Sequence, residues 1–412
     1  MSNETTTTAT PLDLNWMTSV DDHVIEPPSV WVDRVPAKYR DVCPRVITED
    51  GAEYWVYEHT KSITGGLGAS AGRRPEEITA LGFPYADMRP GCYDAKARLE
   101  DMNQAGILAS LNFPSVPRFC GQLFWEAKDK DLALLCVKAY NDWMVDEWCA
   151  TDPGRYIPLG IIPLWDPKLA AEEMVRLHAK GVRSIAFSEN FEPLGLPTIH
   201  TGHWHPVLQT ASDLNMVLSI HIGSSSTFHK ISKDSPFMAN FSLGMIRPAG
   251  ALMDWIFSGL LHKYPNIKIA LSEGWVGWIP YVLQRAKQVY DTQRHWVSQG
   301  IALGNVGPVQ NYDTDIDYDQ IDVYKDYYDH FYGCFIDDLA GLKMLDIVGE
   351  NNVMIESDYP HSDTTWPHSM KLAHEHLDEA GLTDVQKYKI LRGNAEKLYQ
   401  FTPSAPPDVV RP

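Results

Sequence analysis

Two kinds of apolar pattern alternate along this chain. Short, nearly continuous apolar runs bounded by turn residues predict buried strands, and longer stretches with apolar residues every three or four positions predict helices. The short runs are Trp16–Val20, Ile107–Phe113, Tyr156–Ile162, Val182–Phe187, Met216–Ile220, Ile267–Leu271, Tyr332–Ile336 and Val353–Glu356. Between them, Asp94 caps a helix to Gln104 that Gly106 ends. Leu132, Leu135, Cys136, Ala139 and Trp143 share a helical face up to the stop at Pro153-Gly154. Further helices are expected at Pro167–Ala179, at His205–Leu214 and through Ala251–His262. Eight strands alternating with helices predict an α/β protein, a parallel (β/α)8 TIM barrel distorted by inserted loops.

The pattern also sets the expected boundaries. Residues 1–14 read as a disordered lead, 15–402 as one barrel domain with insertions at about 27–93 and 300–322, and 403–412 as an extended tail. The Gly-rich piece Thr64–Ala69 does not lead a strand into a helix, so it is expected to be a flexible active-site flap, not a phosphate loop. A chain of 412 residues with 44% apolar content can bury one large core. Its net charge of −19 argues against nucleic acid and against an anionic membrane surface as partners. Six cysteines without a Cys-x-x-Cys pair indicate neither a zinc ribbon nor a disulfide framework. With no apolar signal core and no membrane-spanning run, the expected location is the cytoplasm.

In a parallel barrel the chemistry sits at the C-terminal ends of the strands. The first strand ends in Asp21 and His23, two residues apart and so on one face. Strand four ends in Ser188-Glu189, strand five in His221, strand six in Glu273 and strand eight in Glu356-Ser357-Asp358. Two histidines and four carboxylates converging on one mouth would repel and protonate without cations between them. A metal centre is therefore expected from Asp21, His23, Glu189, His221, Glu273 and Asp358. The oxygen-rich set favours two divalent ions, iron first, then manganese or zinc.

The motifs Asp21-Asp22-His23 with Glu26-Pro27, His221-Ile222-Gly223, Glu273-Gly274-Trp275-Val276-Gly277-Trp278-Ile279-Pro280 and Ser357-Asp358-Tyr359-Pro360-His361 resemble the amidohydrolase superfamily over nearly the whole chain. The nearest branch is that of aminocarboxymuconate semialdehyde decarboxylase. The resemblance implies that Asp358 shuttles a proton and that Glu189 bridges two metals: Asp21, His23 and Asp358 on one side, His221 and Glu273 on the other. It also marks departures, since that branch usually carries a proton-handling histidine where Glu273 stands and His-x-His where this chain has Asp21-x-His23. Homodimers are common in the family, and one is expected here.

Two metals about 3.5–4 Å apart can hold a hydroxide that attacks a carbonyl. His361, just past Asp358, is a candidate partner in catalysis. Trp275 and Trp366, from a total of thirteen tryptophans, and Asn190 beside Glu189 are candidates for a roomy apolar substrate pocket. The first functional expectation is hydrolysis of an acyl-CoA thioester of a bulky acid, as in the amidohydrolase-type dinuclear-iron thioesterases that the chain also resembles. The alternative is non-oxidative decarboxylation of an aromatic or muconate-like acid by a mononuclear relative.

Overall fold

The eight apolar runs form the staves of a barrel. In the computed structural model, which describes residues 12–297 and 316–408, β1 (Met17–Val24) is flanked by β5 (Ile107–Pro114). Between them in sequence lies a separate antiparallel sheet of β2 (Arg45–Glu49), β3 (Ala52–Tyr57) and β4 (Thr60–Ile63). The third stave is split at Pro158 into β6 (Tyr156–Ile157), which pairs with β5, and β7 (Leu159–Gly160), which pairs with β8 (Ser184–Phe187). A proline has no N–H to give a ladder, which accounts for the break. The order then runs through β9 (Val217–His221), β10 (Lys268–Ser272), β11 (Phe331–Phe335) and β12 (Val353–Ile355), all parallel.

The residues after β12 close the ring against β1. Asp358 N donates to Asp21 O at 2.9 Å and His23 N donates to Tyr359 O at 2.6 Å. These bonds place the end of the last strand beside the end of the first. All eight residues of β1 and of β5 are buried, as expected for strands packed on both faces. The β1–β5 register is irregular between Ser19 and Asp22, a local bulge of the kind that re-aims side chains beside active sites.

The helices cover the barrel. Asp94, Asp129 and Asp166 each cap one, accepting from a backbone N–H in its first turn. All six cysteines are buried and unpaired. Among the described residues no helix is long and apolar enough to cross a membrane.

Two expectations need correction. The 27–93 insertion is not merely turns, because β2–β4 make a sheet. Asp50 and Gly51, both with positive φ, form the two-residue Asp-Gly hairpin turn, a strong sequence signal for such a sheet. The Gly-rich piece is not a loose flap either. Gly66–Ala69 makes one 3₁₀ turn, and the Ser70 and Ala71 amides both donate to Pro360 O, at 2.8 and 3.0 Å. The insertion expected at 300–322 lies, up to residue 315, outside the described residues.

Candidate metal centre

Donors from three strand ends meet. The Nε2 atoms of His23 and His221 face each other at 3.2 Å. His23 Nε2 is 3.3 Å from Asp21 Oδ1 and 3.3 Å from Asp358 Oδ1, and His221 Nε2 is 3.3 Å from Asp21 Oδ2. Two donors at right angles on one ion, each about 2.1 Å from it, lie roughly 3 Å apart. Both Asp21 oxygens and Asp358 Oδ1 are buried without a hydrogen-bond partner, and leaving such atoms unsatisfied is costly. His221 Nδ1 donates to Ile222 O at 2.5 Å, which leaves the lone pair on Nε2, the atom that faces the cluster. These donors fit a divalent cation.

Electrostatics agree with that fit. Burial drives the Asp21 carboxyl well above its ordinary range, and Glu356, Asp358 and Glu273 add repulsion. Burial likewise pushes His23 well down and His221 down to about 4, so both imidazoles are neutral near pH 7 and able to ligate. Asp358 differs. Burial would raise it, but His361 and His23 beside it hold it well below the usual carboxylate range.

Glu273 and His361 flank the donors. Glu273 Oε2 stands 3.4 Å from His221 Nε2, and its carboxyl is raised well above normal by burial, then by Asp358 and Glu356. His361 stacks on His23 with centroids 3.6 Å apart, and its Nδ1 is 3.0 Å from Asp358 Oδ1. Donor atoms within 4.8 Å of one another come from Asp21, His23 and His221, and from His23, Asp358 and His361.

Glu189, expected to bridge, is in neither group. It lies two residues past the end of β8, and its Oε1 accepts from Gly223 N at 3.1 Å, Ser225 Oγ at 2.7 Å and Arg247 at 3.2 Å. That oxygen is committed to a guanidinium and to donors of the Gly223–Ser225 turn, while its Oε2 is buried without a hydrogen-bond partner. Trp366 departs from its expected place in the substrate pocket too. Its Nε1 donates to Asp101 O at 2.9 Å and its ring packs on Tyr359 and under Arg89, so it belongs to the barrel wall. Asn190 faces the side of the barrel beyond Arg247, accepting from Glu192 N at 3.0 Å. Trp275 does line the cavity, with Glu273, Asp358 and His361.

Several supporting residues escaped the sequence reading. Asp22, pointing away from the donors, accepts from Ser19 Oγ at 2.9 Å, Ser357 Oγ at 2.6 Å, Tyr359 N at 3.1 Å and the Ser110 hydroxyl. It ties β1, β5 and the end of β12 together at the seam that carries Asp21, His23 and Asp358. Arg98 donates to His23 O at 2.6 Å, Glu26 accepts from Ser115 N at 3.0 Å and Val116 N at 2.9 Å, and Asp338 gathers the Val276 and Gly277 amides at 2.7 and 2.6 Å. Glu356, buried beneath, accepts from Glu273 N at 3.2 Å. Glu273, Trp275 and Asp358 all have positive φ, a strained conformation that concentrates at functional sites. Asp22→Ala would strand its buried donors, so a loss of about 3 kcal/mol or more in unfolding free energy is expected from denaturant titration, with Asp22→Asn milder. An unchanged midpoint in Asp22→Ala would refute the seam role.

Two lobes open over the donors. The smaller, about 320 Å³, is lined by Glu273, Asp358, His361, Trp275 and Phe119. Phe119 also stacks on His221, with centroids 4.1 Å apart. The larger, about 600 Å³, extends toward β3 and β4.

Known proteins share this architecture. An amidohydrolase from Mycobacterium avium subsp. paratuberculosis superposes with a TM-score of 0.68 at 17% identity, over 93% of this chain and 97% of that one. A 5-carboxyvanillate decarboxylase from Novosphingobium aromaticivorans, complexed with manganese and 4-hydroxy-3-methoxy-5-nitrobenzoic acid, gives 0.64 at 16%, over 94% and 97%. The 2,6-dihydroxybenzoate decarboxylase from Rhizobium gives 0.56 at 16%, over 93% and 99%. At such identities these likenesses speak for the fold. The model of the amidohydrolase family, however, matches residues 28–401, so the barrel, its donor-bearing strand ends and the sequence agree: the chain belongs to the amidohydrolase family.

Proposed function

We propose that this protein is a metal-dependent, non-oxidative decarboxylase of aromatic carboxylic acids that works with one divalent ion, manganese being the first to test. The observation that carries the reading is the cluster of Asp21, His23 and His221 donors, with Asp358 Oδ1 3.3 Å from the shared His23 Nε2, while Glu189 Oε1 is held by Arg247. The structural neighbours that decarboxylate hydroxylated benzoates, one of them with manganese bound, support it. Acyl-CoA thioester hydrolysis, a second metal and iron, the first expectations from sequence, find no such support.

A divalent ion held by these donors would supply Lewis-acid binding of an anionic substrate oxygen. The chain's own residues do the rest. Phe119 and Trp275 offer apolar faces to the ring. Glu273, in its acid form, gives a proton to the ring carbon that bears the carboxylate. The bond from that carbon to the carboxylate then breaks, its electron pair restores the ring, and carbon dioxide leaves. Solvent returns the proton to Glu273, so one proton is consumed per turnover. His361 Nδ1 stands 3.0 Å from Asp358 Oδ1, and the ring lines the lobe, where it can hold a phenolic or carboxylate oxygen.

The test combines metal analysis with isotopic water. Protein loaded with manganese should hold one ion per chain and release carbon dioxide from a hydroxybenzoate, leaving one deuterium from heavy water on the vacated carbon. Two ions per chain with labelled oxygen entering a released acid would overturn the reading in favour of a hydrolase, the chemistry that Glu273 in place of the branch's histidine would suit.

A further inference from the structure

The two lobes over the donors adjoin: Gly68, Phe119, Gly223, Thr227, Phe228 and His361 line both. Either alone, at about 320 and 600 Å³, is within the roughly 300–1,000 Å³ range of pockets that enclose drug-sized ligands. A single-ring benzoate placed against Glu273 and Asp358 leaves the larger lobe empty. That lobe has a built wall. In an antiparallel sheet, directly paired residues share a face, and the register pairs Trp55 with Ser62 and Tyr57 with Thr60. All four line the lobe, together with Val56 and Ile63 of the opposite phase. The inserted sheet thus supplies one wall of the cavity, with the Trp55 and Tyr57 rings anchored in the core beside Trp31 and Phe124. Across from it stand Phe119, Leu123 and Phe228. The cations near this lobe are engaged: Arg118 is paired with Glu126 at 2.8 Å.

We propose that the substrate has two parts, an aromatic carboxylate in the smaller lobe and an uncharged, largely apolar extension of at least one further ring in the larger lobe, selected by the β3–β4 wall. The placement of the carboxylate rests on the single-metal reading above; the size and apolarity of the extension rest on the chamber. An apolar group moved from water into such a space gains about 25 cal/mol per Å² buried, enough for one added ring to matter strongly.

The experiment reads binding and not turnover, so failure of the decarboxylase reading stays distinguishable. Benzoate, 2-naphthoate and biphenyl-4-carboxylate are titrated calorimetrically into manganese-loaded, full-length protein. Biphenyl-4-carboxylate is expected to bind at least about 50-fold more tightly than benzoate. Ser62 is exposed on the wall, so Ser62→Trp should fold normally and fill the lobe. It should cut biphenyl-4-carboxylate affinity by at least about tenfold and leave benzoate within about twofold; Thr60→Phe serves as an independent second plug. Equal affinity for benzoate and biphenyl-4-carboxylate, or equal losses for both in a folded plugged variant, would overturn the proposal. Absence of carbon dioxide release alongside the expected binding pattern would overturn only the reaction.

Discussion

Asp21→Asn is expected to abolish metal binding and turnover while making the metal-free protein more stable. The two effects have one cause. Asp21 is fully buried, its two oxygens accept no hydrogen bond, and Glu356, Asp358 and Glu273 crowd it. Without a cation the site is a set of mutually repelling groups, and an amide of the same shape removes one charge from it. Metal-stripped Asp21→Asn should therefore gain about 1–3 kcal/mol over metal-stripped parent protein. Metal affinity should fall by more than the about 10–100-fold typical of losing a partner that only supports a ligand. Stability sacrificed for a charged site is a common trade.

The pH dependence of that prediction has a definite sign. Asp21, Glu273 and Glu356 all have folded-state values raised above the ordinary carboxylate range, chiefly by burial. A raised acid favours the fold while protonated and loses that contribution as pH rises through its folded value. Metal-stripped protein should thus lose stability from ordinary carboxylate pH upward, whereas metal-loaded protein should not. The gap between their melting temperatures widens with pH and is narrower in Asp21→Asn. A constant gap, or a stripped variant less stable than stripped parent, would count against charge repulsion at this site.

Strand ends were legible because a short, nearly continuous apolar run that breaks at polar residues states where a strand stops and which residues it presents. Asp21, His23, His221 and Asp358 are met at the barrel mouth on that ground alone. Glu189 obeys the same local rule, yet its direction is decided by Ser225, Gly223 and Arg247, groups 34 to 58 residues away whose approach no local pattern encodes. Trp366 was misplaced for the same reason: Asp101 and Arg89 draw it into the wall. Asp22 was visible as a residue and invisible as a hub, because its hydroxyl donors come from β1, from β5 and from the segment after β12. The Asp50-Gly51 turn was legible, and it was missed among the prolines of the insertion.

Glu273→Gln separates the two chemistries most sharply. The substitution keeps the volume and the hydrogen-bonding reach of the side chain but removes the transferable proton. If Glu273 delivers the proton to carbon, kcat should fall by about 10²–10⁴, the usual worth of a positioned acid. KM should change little, because binding rests on other groups, and manganese should stay at one per chain, since Asp21, His23, His221 and Asp358 remain. The pH profile adds an independent reading. The acid form is the active one, so kcat of the parent declines as pH rises through the folded Glu273 value, which burial raises and a bound cation lowers by favouring the carboxylate. In Glu273→Gln that descending limb should vanish from the residual activity. Were Glu273 instead a ligand of a second ion, the variant would drop from two metals to one and lose hydrolysis with the metal. Near-parental kcat in a fully loaded variant would leave Glu273 without a part in the chemistry, and the proton donor would first be sought at His361, which faces the lobe beside Asp358.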